Sequence, residues 1–208
     1  MTGGTTTFYI ARHGNTFNAG DIVRRVGRRT DLALSQSGKA QAARLAEHFK
    51  ADGIVFDQII ASPLRRARET AEAILRNQDP EPHFETNDAL LEIDYGPDEN
   101  QPEDAVRARI GEDALARWEQ ESTPPPGWII DADAVRARWR SLMGDIAARP
   151  GVETALLVTS AGVARFLFEI AEEAPLEATR KLRTGAYGVA TLDNGRLAIN
   201  TWNLRPPA

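Results

Sequence analysis

The sequence predicts an α/β protein, a three-layer sandwich in which a mainly parallel central sheet is flanked by helices. Short apolar runs of strand length, at residues 8–11, 56–61 and 156–158, each end in a polar, loop-forming stretch and lead on to segments whose apolar residues recur at helical spacing. The runs 8–11 and 156–158 are apolar at consecutive positions, as strands covered on both faces are. With 208 residues and 42% hydrophobic content, the chain suffices for one continuous core and is short for two, so a single domain over 1–208 is expected.

Taken in order, the first run, 8–11, stops at Arg12, His13 and Gly14, which reads as a buried strand opening into a loop. Residues 34–38 lead into a helix with Ala42, Leu45, Ala46 and Phe49 on its inner face, closed by Asp52 and Gly53. After the run 56–61, Ser62 reads as an N-cap and Pro63 as the first helical residue of a helix that buries Ala67, Ala71 and Ile74. Two longer helical stripes follow, Val106, Ile110, Ala114 and Trp118 and then Val135, Trp139, Leu142 and Ile146, separated by an irregular connection at 124–127. The third strand, 156–158, runs into Ser160, Ala161 and Gly162 and a helix carrying Val163, Phe166, Leu167 and Ile170. Toward the end the pattern favours strands near 187–192 and 197–202, joined at Asp193, Asn194 and Gly195 by a strong hairpin signal, with 206–208 expected as a frayed tail.

The formal charge of -5 is spread along the chain, which argues against nucleic acid or an anionic membrane as partner and makes any anion site local. With no cysteine there is no disulfide, thiolate nucleophile or cysteine-bound metal. Residues 1–7 lack the basic and apolar regions of a signal peptide, and nowhere do about 18 apolar residues run together. A soluble, cytoplasmic protein is expected.

In a sheet of this kind ligands bind beyond the carboxyl ends of the strands. At the first such end Arg12 offers a guanidinium fork for phosphate oxygens beside His13, an imidazole able to act as nucleophile, and Gly14 is expected to let the backbone approach an anion. At the second, a helix N-terminus with Arg65 and Arg66 would favour a bound phosphate. His48 and His83 lie outside these loops and are expected on the surface.

Together these residues resemble the histidine phosphatase superfamily, the phosphoglycerate mutase-like proteins. Arg12, His13, Gly14, Thr16 and Asn18 match the family's opening motif, and Ser62, Leu64, Arg66, Ala67 and Thr70 match its second, which selects Arg66 over Arg65. Asp31, Leu34, Ser35, Gly38, Gln41 and Ala42 look like the intervening segment, with Gly27 and Asp31 one residue further apart than usual. Residues 91–96 are similar to the segment carrying the family's acid, which falls on Glu92. The resemblance implies that Arg12 and Arg66 hold a phosphoryl group, that His13 accepts it, and that Glu92 protonates the leaving alkoxide and then activates water. Thr16, Asn18 and Ser62 would bind phosphate, and neither metal nor cofactor is implied. One departure stands out: Ser160 occupies the place of the family's second active-site histidine, where it could still donate to a phosphoryl oxygen but cannot carry charge.

The expected function is therefore a phosphohydrolase acting on a small phosphate monoester, slowed by the change at 160. The alternatives are a mutase-type phosphotransferase and a non-catalytic binder of a phosphorylated ligand. The family's mutases carry a longer insert and a C-terminal tail with no obvious counterpart in this sequence, which favours the phosphatase. Residues 94–128 are expected to form a helical cap whose acids Asp94, Asp98, Glu99, Glu103 and Asp104 disfavour a second anionic substituent unless Arg107 or Arg109 turns inward. The oligomeric state, a homodimer included, is left open by the sequence.

Overall fold

The computed structural model describes residues 4–175 and 179–207, so Met1, Thr2 and Gly3 of the N-terminal stretch and Ala208 of the expected tail lie outside the described residues. The strands are β1 (Thr6–Arg12), β2 (Gln58–Ala61), β3 (His83–Thr86), β4 (Thr154–Thr159), β5 (Tyr187–Asp193) and β6 (Arg196–Leu204). They form one sheet in the order β3-β2-β4-β1-β5-β6. The pairs β2/β3, β2/β4 and β1/β4 are parallel, while β5 and β6 join as an antiparallel hairpin against β1. The mixed but mainly parallel sheet is the one the strand-helix alternation predicts. Helices α1 (Gln36–Ala51) and α2 (Arg65–Leu75) follow β1 and β2, α3 (Glu103–Ile110), α4 (Glu112–Glu121) and α5 (Ala132–Ala147) lie between β3 and β4, and the short α6 (Ala161–Ala164) follows β4.

The central strands are apolar on both faces because each face is covered. Ile10, Ile60 and Leu157 enter a core built with Trp118, Trp139, Met143 and Phe166, whereas Ala11, Ile59, Leu156 and Val158 pack with Leu45, Phe49, Ala67 and Ile74 from α1 and α2. Two caps fix where helices begin: Ser35 Oγ accepts from Gly38 N at 3.2 Å for α1, and Asp131 Oδ1 accepts from Ala134 N at 2.9 Å for α5.

Several expectations need correction. The stripe through Val106 and Trp118 is two helices, broken at Gly111, whose φ of 80° lies where glycine is favoured. α2 begins at Arg65 rather than at Pro63, because Ser62 N still donates to Val158 O at 2.9 Å in the sheet and Leu64 remains extended. The cap role falls instead to Asp31, whose Oδ1 accepts from Arg65 N at 2.6 Å. The helix expected after residue 160 is one turn of α6 continued as a 3-10 turn over Arg165–Glu169. β3 had no signal in the sequence, being a four-residue edge strand of exposed and half-exposed side chains. His83 is exposed as expected, but His48 is largely covered, with Nε2 2.7 Å from the Tyr187 hydroxyl.

Candidate active site

β1 and β4 run parallel with Arg12 opposite Thr159, and His13 N donates to Thr159 O at 3.1 Å, so the first and third strand ends emerge side by side. The loop after β1 is then pinned from below. Gly14 N donates to Thr70 Oγ1 at 3.2 Å, Asn15 N to Gln41 Oε1 at 2.7 Å, and Ser35 N to Asn15 O at 2.9 Å. A Cβ on Gly14 would overlap the Gly38 carbonyl, and one on Gly38 would overlap that of Asn15. Contact with the start of α1 thus demands glycine at 14, a reason the sequence did not show.

His13 is buried, and its two ring nitrogens have distinct partners. Nδ1 lies 2.8 Å from Gly14 O, which can only accept, so the proton sits on Nδ1. Nε2 is left as an acceptor and receives Arg66 Nε at 3.1 Å. Burial, then Arg66 and Arg12, hold the imidazole well below its ordinary pKa, outweighing the Gly14 bond. It is a neutral, oriented base whose Nε2 lone pair is directed at Arg66.

Arg66 is 0% exposed. Nη1 donates to Thr30 O at 2.8 Å and Nη2 to Gly27 O at 3.1 Å, which leaves one hydrogen on each of those nitrogens. Arg65 points away and pairs with Glu69. Arg12 Nη1 donates to Leu182 O at 2.9 Å while its buried Nε has no partner. Glu92 is buried beside them: Oε1 accepts from Ile93 N at 2.9 Å, and Oε2 from Gly162 N at 3.1 Å and from the Tyr95 hydroxyl at 3.5 Å. A Cβ at Gly162 would overlap the Glu92 carboxylate, so this glycine makes room for the acid.

These strand ends open into a cavity of about 870 Å³ whose walls include Arg12, His13, Thr16, Asn18 and Glu92. Arg66 stands behind His13, and neither it nor Ser62 nor Ser160 belongs to the wall. Ser62 is fully buried, with its hydroxyl 3.4 Å from Leu64 N. Ser160 is 1% exposed and its Oγ has no partner. α3 and α4 supply the opposite wall through Arg107, Glu112, Leu115, Trp118 and Glu119. Of the five acids in the expected cluster, only Glu103 lines the cavity, and it is paired with Arg25 at 2.7 Å. Arg107 does turn to the cavity but pairs with Glu112, while Arg109 turns to buried Asp98, which also accepts from Trp128 Nε1 at 2.7 Å.

Sequence reasoning missed Arg165, Arg25 and Tyr95. Arg165 is buried with its guanidinium 3.9 Å from the Trp118 ring centre and donates to the Trp118 carbonyl. Its signal was a lone charge between Val163 and Phe166, inside an otherwise apolar stretch. Arg25 stands over the Tyr95 and Trp128 rings at 5.2 Å each. The Tyr95 hydroxyl is held in its protonated form, first by burial and then by Glu92. Among the described residues no group of His, Asp or Glu side chains is gathered as a metal site, and no helix is long and apolar enough to cross a membrane.

Comparison with known proteins gives the family and the fold. A profile of the histidine phosphatase superfamily (branch 1) matches residues 8–205. The 2,3-bisphosphoglycerate-dependent phosphoglycerate mutase of Brucella ovis is 31% identical over 160 residues, 75% of this chain and 76% of the mutase. Among solved structures, phosphoglycerate mutase from Bacillus anthracis superposes with a TM-score of 0.80 at 19% identity, covering 97% of this chain and 94% of that one. Mycobacterial glucosyl-3-phosphoglycerate phosphatase superposes at 0.75 and 22% identity, covering 96% and 99%. At these identities the superpositions speak for the fold.

Proposed function

Because the chain belongs to the histidine phosphatase superfamily, we propose that it is a phosphohydrolase acting on a small phosphate monoester through a phosphohistidine at His13. The observation that carries the reading is the neutral His13, its Nε2 held by Arg66 Nε and its ring on the wall of a cavity that also holds Glu92 and Arg12. In the first step Arg66 Nε leaves Nε2 for the phosphoryl oxygens, the freed Nε2 lone pair attacks phosphorus, the ester P–O bond breaks, and Glu92, protonated at the outset, passes its proton to the departing oxygen. In the second, water attacks the phosphohistidine while Glu92 takes its proton, the P–N bond breaks, and inorganic phosphate leaves. Arg12, with an unpartnered Nε, and Arg66, with two spare hydrogens, supply the charge that phosphoryl transfer needs at the equatorial oxygens. Thr16 and Asn18 on the wall would steady the ligand, and α3 and α4 would serve as its cap.

The rest of the cavity bears on the substrate. Arg25, Arg107, Arg165 and Lys181 lie within ion-pair distance of three carboxylates, Glu103, Glu112 and Glu119, the last shared by Arg165 and Lys181, while Arg24 on the wall donates to the Asn100 carbonyl, and Phe17, Tyr95, Leu115 and Trp118 add apolar surface. Charges that are largely compensated, together with apolar walls, suit an ester whose body is uncharged. A panel of phosphate esters should show higher kcat/KM for monoesters with neutral bodies than for bisphosphates. A strong preference for bisphosphates, or phosphoryl transfer to a second phosphoglycerate in place of water, would favour the mutase reading that the Brucella relative suggests.

Ser160 is where a binder without catalysis would differ from an enzyme. Restoring a histidine requires room at a fully buried position, so Ser160→His is best made together with Ala161→Gly. The double variant is expected to hydrolyse p-nitrophenyl phosphate roughly tenfold faster, through a new donor to the phosphoryl oxygens. A folded variant that binds phosphate without any gain would mean that the site works without a group at 160, and a wild type that turns over nothing would make the protein a binder.

A further inference from the structure

Glu99 lies outside the cavity wall, yet four hydrogen bonds converge on its carboxylate. Oε1 accepts from Gly27 N at 3.1 Å, Arg29 N at 3.0 Å and Thr30 Oγ1 at 2.7 Å, and Oε2 accepts from Tyr95 N at 3.3 Å. The donors are backbone amides and a hydroxyl, so no ion pair explains why a carboxylate stands here. The far side of the same strap does. Gly27 O and Thr30 O are the two carbonyls that hold the Arg66 guanidinium, at 3.1 Å and 2.8 Å. Residues 27–30 are therefore clamped between an anion on their N–H groups and a cation on their carbonyls, an arrangement in which each peptide is polarised in the sense that strengthens both bonds. A Cβ on Gly27 would overlap the Glu99 carboxylate and crowd the Tyr95 ring, so only glycine lets the strap come this close. The Tyr95 amide ties the same carboxylate to the turn that carries Glu92, three residues earlier.

We infer that Glu99 is a positioning residue for phosphoryl transfer: it fixes the strap whose carbonyls aim Arg66 at His13, and it sets that arginine against the Glu92 turn. The role rests on the reading of His13 as phosphoryl acceptor, but the geometry can be tested apart from it. The test compares Glu99→Ala, Glu99→Gln and Thr30→Val in the full chain. It uses inorganic phosphate affinity by calorimetry, the His13 ring nitrogens by NMR over a pH series, and kcat and KM on p-nitrophenyl phosphate. The charged groups around His13 are Arg12, Arg66 and, across the cavity, Glu92, so movement of Arg66 should register at Nε2.

In Glu99→Ala, phosphate should bind roughly tenfold more weakly, as the loss of a charge-assisted bond implies, the His13 Nε2 resonance should move, and its titration should rise toward the ordinary imidazole range. Glu99→Gln keeps an acceptor for the three strap donors and should recover most of the wild-type signal. A Glu99→Ala protein that melts lower but retains the wild-type His13 spectrum and phosphate affinity would overturn the inference. Should that variant fail to fold, Thr30→Val removes only the hydroxyl bond, and an unmoved Nε2 signal there would overturn it equally. If wild type hydrolyses no ester while the His13 signal still answers to Glu99, the phosphohydrolase reading fails and the positioning role stands. If wild type is active and Glu99→Ala matches it in every measurement, the reverse holds.

Discussion

Replacing His13 with alanine is expected to lower turnover of any phosphate monoester by roughly a thousandfold or more, because both steps of a double displacement pass through its Nε2. The companion measurement is acid-labile labelling by a radiolabelled ester, present in wild type and absent in the variant. Undiminished label or turnover in His13→Ala would reject the assignment. The pH profile adds a signed expectation. Burial and the two neighbouring arginines hold His13 well below the usual imidazole value of about 6.5, so the nucleophile stays unprotonated, and kcat/KM should show no loss from this group as pH falls through that value. Stability behaves differently. The unfolded chain takes up a proton near 6.5 and the native chain only far lower, so His13 destabilises the fold progressively as pH drops between those values. His13→Ala should remove that part of the acid sensitivity, visible as a shallower fall in melting temperature.

The second large effect is expected at Glu92. Glu92→Gln preserves shape and can still accept a bond from Ile93 N or Gly162 N, but it cannot deliver a proton. For an alkyl phosphate, whose alkoxide leaves poorly, kcat should fall about a hundredfold or more. For p-nitrophenyl phosphate, whose phenolate leaves unaided, the first step should be much less affected. The ratio of the two losses is the diagnostic, and equal losses on both esters would place the role of Glu92 in binding rather than in proton transfer.

Much of this site was legible in the chain because its residues sit where strands stop. Arg12 and His13 follow an uninterrupted apolar run, and Arg65 and Arg66 open the helix after a second strand, so local pattern places them at strand ends, while the choice of Arg66 over Arg65 came from the motif. Glu92 was found by motif, and its neighbours explain why the pattern is silent there: it lies in irregular chain, held by its own amide environment and by Gly162 from a distant strand end. Residues 27–30 escaped notice for a similar reason, since their importance lies in backbone carbonyls, which carry no signature in side-chain identity. The single stripe from Val106 to Trp118 failed at Gly111 because a glycine between two helices leaves the apolar spacing unaltered. Ser62 misled because Ser-Pro is a good helix start in isolation, and only the sheet bond to Val158 shows the chain still extended there.

Arg12, Arg66 and Arg165 are all desolvated, and each lies in the field of the buried carboxylate at Glu92. Like charges gathered so closely are held together by the fold rather than holding it together. Well-packed apolar groups of similar size in their place would often give a firmer protein, whereas removing one partner of such a set leaves the others exposed to their own repulsion. The most stable version of this chain and the version able to receive a dianion are therefore different sequences. The strand ends mark the place where the molecule has kept the second at the expense of the first.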